Sequence, residues 1–173
     1  MSSETKDIVI LSNLIETKSL DHPDLEVLTF VSITEDGYQE EKRTYKSLWE
    51  NGQRIASSLD EENMTRGEAF AIVTLNHPEF VDAMVGSSIA GTVFVPIDPR
   101  TKGKKLIYML THSQCRGVII GDYALENLKE IVADCPLLEW IWVVGSESQL
   151  SNSPLRTKSI NHILSKTVKP MET

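Results

Sequence analysis

The stretch GTVFVPIDPR, Gly91 to Arg100, drives an apolar run into two prolines with an aspartate held between them. Pro96 stops a strand because it has no N–H to give an interior ladder. Pro99 keeps Asp98 out of the helical region and stiffens the corner. A carboxylate fixed there could orient a substrate or take a proton. Its commoner use is to close or cap the turn, and that is the role assigned to Asp98. Arg100, Lys102, Lys104 and Lys105 follow at a helix start, where a phosphate could be held. In a chain of net charge −8 they read instead as a solvated face. Of His22, His77, His112 and His162, His77 precedes Pro78 at a helix start and reads as a capping or packing residue. His112-x-x-Cys115 has metal-like spacing, but two ligands do not make a site where zinc takes three or four.

Other catalytic registers are empty. Gly86 and Gly91 have the spacing of a phosphate loop, yet Thr92 stands where that loop requires lysine. The chain has no G-x-G-x-x-G, no nucleophile elbow G-x-S-x-G and no paired carboxylates on an apolar face. The residues alone therefore assign no catalytic, cofactor-binding or metal-binding position.

The elements that would carry such a site follow from periodicity. Ile8, Leu11, Leu14 and Ile15 predict a helix over Asp7 to Thr17, broken at His22-Pro23. Leu25 to Ile33 reads as a strand, and the turn Glu35-Asp36-Gly37 returns it over Tyr38 to Arg43. Thr44 caps the clearest helix, whose apolar face is Tyr45, Leu48, Trp49, Gly52, Ile55, Ala56 and Leu59, with charged Asp60 to Glu62 as its exposed end. Glu68 to Leu75 is a strand suited to burial on both faces. Pro78 then opens a helix rich in small residues over Glu79 to Ala90, closed by a left-handed Gly91. Val93 to Ile97, Gly117 to Ile120 and Trp140 to Val144 are further strands. Between them lie helices capped by Thr101 and by Asp122. Strands alternating with helices argue for right-handed βαβ crossovers: an α/β fold with a mostly parallel sheet covered on both faces. Residues 1–145 form this subdomain. Residues 146–173 read as loop and tail, with no obvious partner strand.

Composition narrows the function. At 173 residues the chain suits one domain, and 40% hydrophobic with 24% charged residues is ordinary for a soluble protein. The negative charge disfavours nucleic acid and anionic membranes, and no apolar run is long enough for a span. Cys115 and Cys135 suit a reducing compartment. The start MSSETKDIVILSNLIETK lacks the marks of a signal peptide, so the expected setting is cytoplasmic.

RTYKSLWENGQRIASSL, GEAFAIVTLNHPEFVDAMVGSSIAGTVFVPIDPR and KLIYMLTHSQCRGVII together resemble the front of the adenylate-forming, AMP-binding enzymes, from about Leu28 to Val144. The most specific part is Asn76, Pro78, Glu79 and Phe80, a small-residue helix, Gly91, then Pro96-Ile97-Asp98-Pro99. The resemblance implies an N-terminal piece of an acyl-CoA synthetase, in keeping with fatty acid metabolism. ATP, Mg²⁺, coenzyme A and a small carboxylic acid belong to the complete enzyme. That family's phosphate loop, its Y-G-x-T-E segment, its hinge aspartate and its late lysine are not matched here. No site residue is therefore carried over, and none of these ligands is expected to bind this chain tightly. The chain alone is expected to be inactive.

Two family readings and two outside them compete. Asp98 also suits an amino-acid adenylation domain, although Thr101-Lys102 stand where that group has a tyrosine-proline pair. A non-catalytic interaction module would show a large apolar patch. A phosphoacceptor receiver needs acidic residues at strand ends, and Thr74-Leu75-Asn76-His77 supplies none. Strand edges left without cover predict a homodimer.

Overall fold

Thr44 sets the longest helix, as its sequence predicts. In this computed structural model, which describes residues 7–35, 37–146 and 155–171, the Thr44 hydroxyl accepts the Ser47 N–H at 3.1 Å, and Ser47 Oγ accepts the Thr44 N–H at 2.8 Å. This reciprocal cap satisfies two donors that the first turn leaves free. Helix α2, Tyr45–Glu61, then buries Leu48, Ile55, Ala56 and Leu59. Before it come α1, Leu11–Asp21, and a hairpin of β1, Glu26–Thr34, against β2, Gly37–Thr44, with Ile33 opposite Tyr38. Helix α1 starts later than Asp7, since Asp7 to Ile10 are spent on a turn. The expected turn at Asp36 falls outside the described residues.

Five strands form one parallel sheet in the order β4-β3-β5-β6-β7. They are β3, Ala69–Val73; β4, Val93–Pro96; β5, Cys115–Gly121; β6, Trp140–Val144; and β7, Arg156–Ser159. Helix α3, Pro78–Ala90, joins β3 to β4, and α4, Gly103–His112, joins β4 to β5. The α/β expectation holds. The strand period of two divides the core. Phe70, Ile72, Ile119, Trp140 and Trp142 pack with Ile55 and Leu59 of α2 on one face. Val73, Val118, Ile120, Ile141 and Val143 pack with Leu106 and Leu110 of α4 on the other. Each fully buried large side chain contributes about 1.5–3 kcal/mol. The small residues of α3 serve close packing: a Cβ on Gly86 would overlap Ile55 of α2. Gly91 ends α3 at φ 68°, a left-handed cap.

The structure departs from the sequence reading in five further places. The strand before Pro96 is a sheet edge where the sequence reading expects an interior ladder, and half-exposed Val93 lies on it. Proline is tolerated there because one side of the strand needs no ladder. Thr101 caps nothing. Its N–H bonds the Asp98 carbonyl at 2.9 Å, and α4 begins after Lys102 with no side-chain cap. Asp122 also caps nothing. The segment after it breaks into a 3₁₀ turn, Asp122–Ala124, the short α5, Leu125–Lys129, and a second 3₁₀ turn, Val132–Asp134. The tail does find a partner: Arg156–Ser159 adds β7 beside β6, and α6, Ile160–Leu164, follows it.

Glu62 is the fifth departure. Instead of marking an exposed helix end it is 1% exposed. Its Oε1 accepts Lys158 Nζ at 2.7 Å and the Trp142 Nε1–H at 3.3 Å, while Oε2 faces Arg156 Nη2 at 3.4 Å. A carboxylate can be buried there because β7 delivers two cations to it. The tail is held further along α2. Gln53 accepts the Met171 N–H at 2.6 Å and donates to its carbonyl at 3.2 Å, and Lys166 Nζ reaches Glu61 at 2.6 Å. Replacing Glu62 by glutamine should keep the Trp142 contact and remove the charge between the two cations. The expected loss is about 1–2 kcal/mol, modest because Lys158 and Arg156 can recover water. Urea unfolding monitored by tryptophan fluorescence measures it, and an unchanged midpoint would refute the clamp.

Candidate functional site

The strand order fixes where a ligand could sit. The chain leaves β3 toward the β4 edge and leaves β5 toward β6, so the direction of winding reverses between β3 and β5. In open α/β sheets, ligands bind beyond the carboxyl ends of the strands at such a point. Two adjoining clefts lie on this rim. One, of about 390 Å³, is lined by Thr74, Leu75, Asn76, Phe80 and the Pro96–Arg100 corner. The other, of about 300 Å³, is lined by Leu75, Pro99, Arg100, Lys102, Tyr123 and Asn127.

Asp98 is the turn residue its sequence suggests. Oδ1 accepts the Arg100 N–H at 2.8 Å, and Oδ2 pairs with Arg100 Nη2 at 2.6 Å. Hydrogen bonds from the Arg100 side chain and backbone hold its carboxyl well below the usual range, at about 2. Upstream, the Ile97 N–H still bonds the Ile72 carbonyl at 2.9 Å, so the corner is fastened at both ends. Arg100 is thereby committed to Asp98. Of the remaining basic cluster, Lys102 lines a cleft, while Lys104 and Lys105 lie exposed on α4.

His77 occupies the cap position of α3 but makes no side-chain cap bond. Its ring stacks on Tyr123 instead, with centroids 6.0 Å apart and planes 16° apart. Tyr123 is the site residue that sequence reasoning missed. Its hydroxyl accepts the Leu75 N–H at 2.6 Å, tying the loop after β5 to the loop after β3 across the switch point. The available signal was an aromatic residue placed directly after the strand-ending Gly121-Asp122. Asp122 makes a parallel tie, accepting the Ser146 N–H at 2.7 Å across the next pair of strands.

The His112–Cys115 pair is not brought together as a metal site. His112 is exposed and stacks on Tyr108, with centroids 5.2 Å apart, while Cys115 is buried in the core. Burial pushes the Cys115 thiol up to about 12, so it stays protonated and is neither ligand nor nucleophile. Among the described residues no group of three or more His, Cys, Asp or Glu could hold a metal, and no helix is long and apolar enough to cross a membrane. Among the described residues the rim thus offers stiff walls, the Lys102 side chain and backbone-bonded polar groups, a set that can orient a ligand.

Comparison with known proteins gives one consistent result. A family model described as AMP-binding enzyme matches residues 15–171. The chain is 30% identical over 94 residues to 4-hydroxybutyrate–CoA ligase 2 of Metallosphaera sedula, covering 54% of this chain and 17% of that protein. It is 35% identical over 85 residues to surfactin synthase subunit 2 of Bacillus subtilis, covering 49% of this chain and 2% of that protein. The solved structure of acetoacetyl-CoA synthetase from Streptomyces lividans shares the fold, with a TM-score of 0.80 at 14% identity, over 94% of this chain and 26% of that one. The chain spans less than a fifth of the length of these curated relatives.

The Asp98–Arg100 geometry has a direct readout. A carboxyl depressed in the folded state stays ionised until the pH nears its folded value. Carbon-detected NMR should show Asp98 ionised down to about pH 3 in the folded chain, and Arg100→Gln should move its midpoint up toward the ordinary 3.8. An ordinary midpoint in the unsubstituted chain would contradict this corner.

Proposed function

The chain belongs to the AMP-binding, adenylate-forming enzyme family, and from that premise we propose that it is the amino-terminal α/β subdomain of an ATP-dependent acyl-CoA synthetase. The observation that carries the reading is the family match over 15–171, supported by the 4-hydroxybutyrate–CoA ligase relative. In the proposed reaction a carboxylate oxygen attacks the α-phosphorus of ATP, and the bond to pyrophosphate breaks. A thiolate of coenzyme A then attacks the acyl carbon, and AMP leaves with the bonding pair. Mg²⁺ would offset phosphate charge in the complete enzyme. The described residues form no cluster of three or more His, Cys, Asp or Glu to hold it.

The part of this chain is positional. Proximity and orientation can supply a large share of a barrier only if the walls around the reactants do not yield. The Asp98–Arg100 turn and the Tyr123–Leu75 tie provide two such fixed walls on the strand-end rim. The setting proposed is cytoplasmic, in fatty acid metabolism, and the open edge at β4 suits a homodimer. Light scattering at high concentration tests the dimer, and a monomer would count against it.

A second reading, a fragment of an amino-acid adenylation domain, is favoured by the surfactin synthase relative. One assay on the complete protein separates the two. Labelled pyrophosphate should exchange into ATP in the presence of a carboxylic acid, with coenzyme A then consumed as a thioester. Exchange with amino acids and no consumption of coenzyme A would favour the second reading. No exchange with any acid would overturn both.

A further inference from the structure

Strands β1 and β2 form a sheet of their own, and only its base is packed. Val27 and Leu28 lie against the core, while Val31 is 58% exposed and Ile33 and Tyr38 are each 79% exposed. Alternate residues of a strand share a face, so Val31 and Ile33 lie on one side of the hairpin, and Tyr38 joins them there as the partner of Ile33. A hairpin of two strands is marginal by itself, and a third strand makes such a unit firm. Among the described residues no backbone hydrogen bond from outside the hairpin reaches β1 between Val27 and Thr34. The two edges of this small sheet differ. β2 carries Glu40, Glu41, Lys42 and Arg43 in succession, charges of the kind that keep an edge from pairing. β1 carries no charge from Val27 to Thr34. Its VLTFVSIT, without proline or glycine, is a composition that pairs with copies of itself. On the larger sheet the edge strands are four residues each: β4 ends at Pro96, and β7 carries Arg156 and Lys158.

We propose that β1 is a self-pairing edge: two copies of this chain join their β1 strands antiparallel about a two-fold axis, giving a four-stranded sheet in the order β2-β1-β1-β2. Charge selects this arrangement. Parallel, in-register pairing would set Glu26 on Glu26 and Glu35 on Glu35 of the second copy, and like charges directly opposite are destabilising. Antiparallel pairing centred on Val31 sets Val27 opposite Glu35 and Thr29 opposite Ile33, so no like charges meet. Within each copy Lys42 already pairs with Glu26 at 2.8 Å. Val31 and Ile33 of both copies then make one apolar stripe, bordered on each side by Tyr38. Pairing occupies the uncharged edge of each copy and leaves the charged edge of β2 outermost, so the assembly closes at two. This contact does not depend on the reaction proposed above.

Sedimentation velocity of this chain over a range of concentrations tests the pairing, alongside Val31→Lys, Val31→Glu and, on β4, Val93→Lys. The expected result is a monomer–dimer equilibrium whose dissociation constant rises about tenfold in either Val31 variant and is unchanged in Val93→Lys. An equimolar mixture of the two Val31 variants should recover the dimer, because the two-fold axis brings their opposite charges together. Circular dichroism checks that each variant keeps the fold. Should the Val31 variants not fold, hydrogen exchange in the unsubstituted chain decides: alternate amides of β1 should gain protection as concentration rises, with no gain at the outward amides of β2. A chain that stays monomeric at millimolar concentration, a dimer that both Val31 variants leave intact, growth beyond two copies, or β1 exchange that ignores concentration would overturn the proposal. A dimer weakened by Val93→Lys alone would overturn it too, placing the contact at β4 and leaving the homodimer itself standing.

Discussion

Everything in this molecule hangs on a parallel sheet whose central strands are buried on both faces. Strands β3, β5 and β6 carry almost uninterrupted apolar side chains, and the tilted rings of Trp140 and Trp142 lie with centroids 4.7 Å apart on one side. A strand covered twice must be followed by a crossover that covers it, so helices α2 and α3 fall on one face and α4 and α5 on the other. Once the order of strands is set, the rim where the chain reverses direction is set too. The two clefts, the Asp98 corner and the Tyr123 tie are consequences of that order and not separate inventions.

Glu62 and Asp82 are buried carboxylates that the fold supplies with cations. Glu62 receives two cations from β7 and an N–H from Trp142. Asp82 receives one guanidinium that it shares with Glu41. The Glu62 cluster fastens β7 to the end of α2, and the Arg43–Asp82 pair joins the end of β2 to α3. In both, a cation set against a buried carboxylate offsets the cost of taking its charge out of water.

The central architecture was legible because its signals are local. The Thr44 cap, the apolar stripe of α2, Pro78 at a helix start and the left-handed Gly91 each declare themselves within a few residues, and the structure places them accordingly. What stayed hidden depends on distant partners. Arg156–Ser159 is a short polar segment that becomes a strand only because β6 offers it an edge. Glu62 looks like a helix terminus until Arg156 and Lys158 arrive from nearly a hundred residues away. The turn role of Asp98 is legible in the two prolines that flank it. Tyr123 was missed because its role is a bond to Leu75 across two strands, which no sequence period marks. The resemblance carried by Asn76 to Phe80 and Pro96 to Pro99 pointed to the family that the comparisons then showed.

In the function proposed, this chain supplies a rigid rim, while the nucleotide is held by the complete enzyme. Thermal unfolding with Mg·ATP, and then with a non-hydrolysable acyl-adenylate mimic, tests it most directly on this chain and on the complete protein side by side. A ligand that binds the native state raises its melting temperature by mass action. The prediction is a saturable rise for the complete protein and none for this chain at millimolar ligand. A saturable rise for the chain alone would mean that the Pro96–Thr101 corner and its neighbours bind nucleotide themselves, and would contradict the claim. No rise for either would contradict the assignment to nucleotide-dependent carboxylate activation.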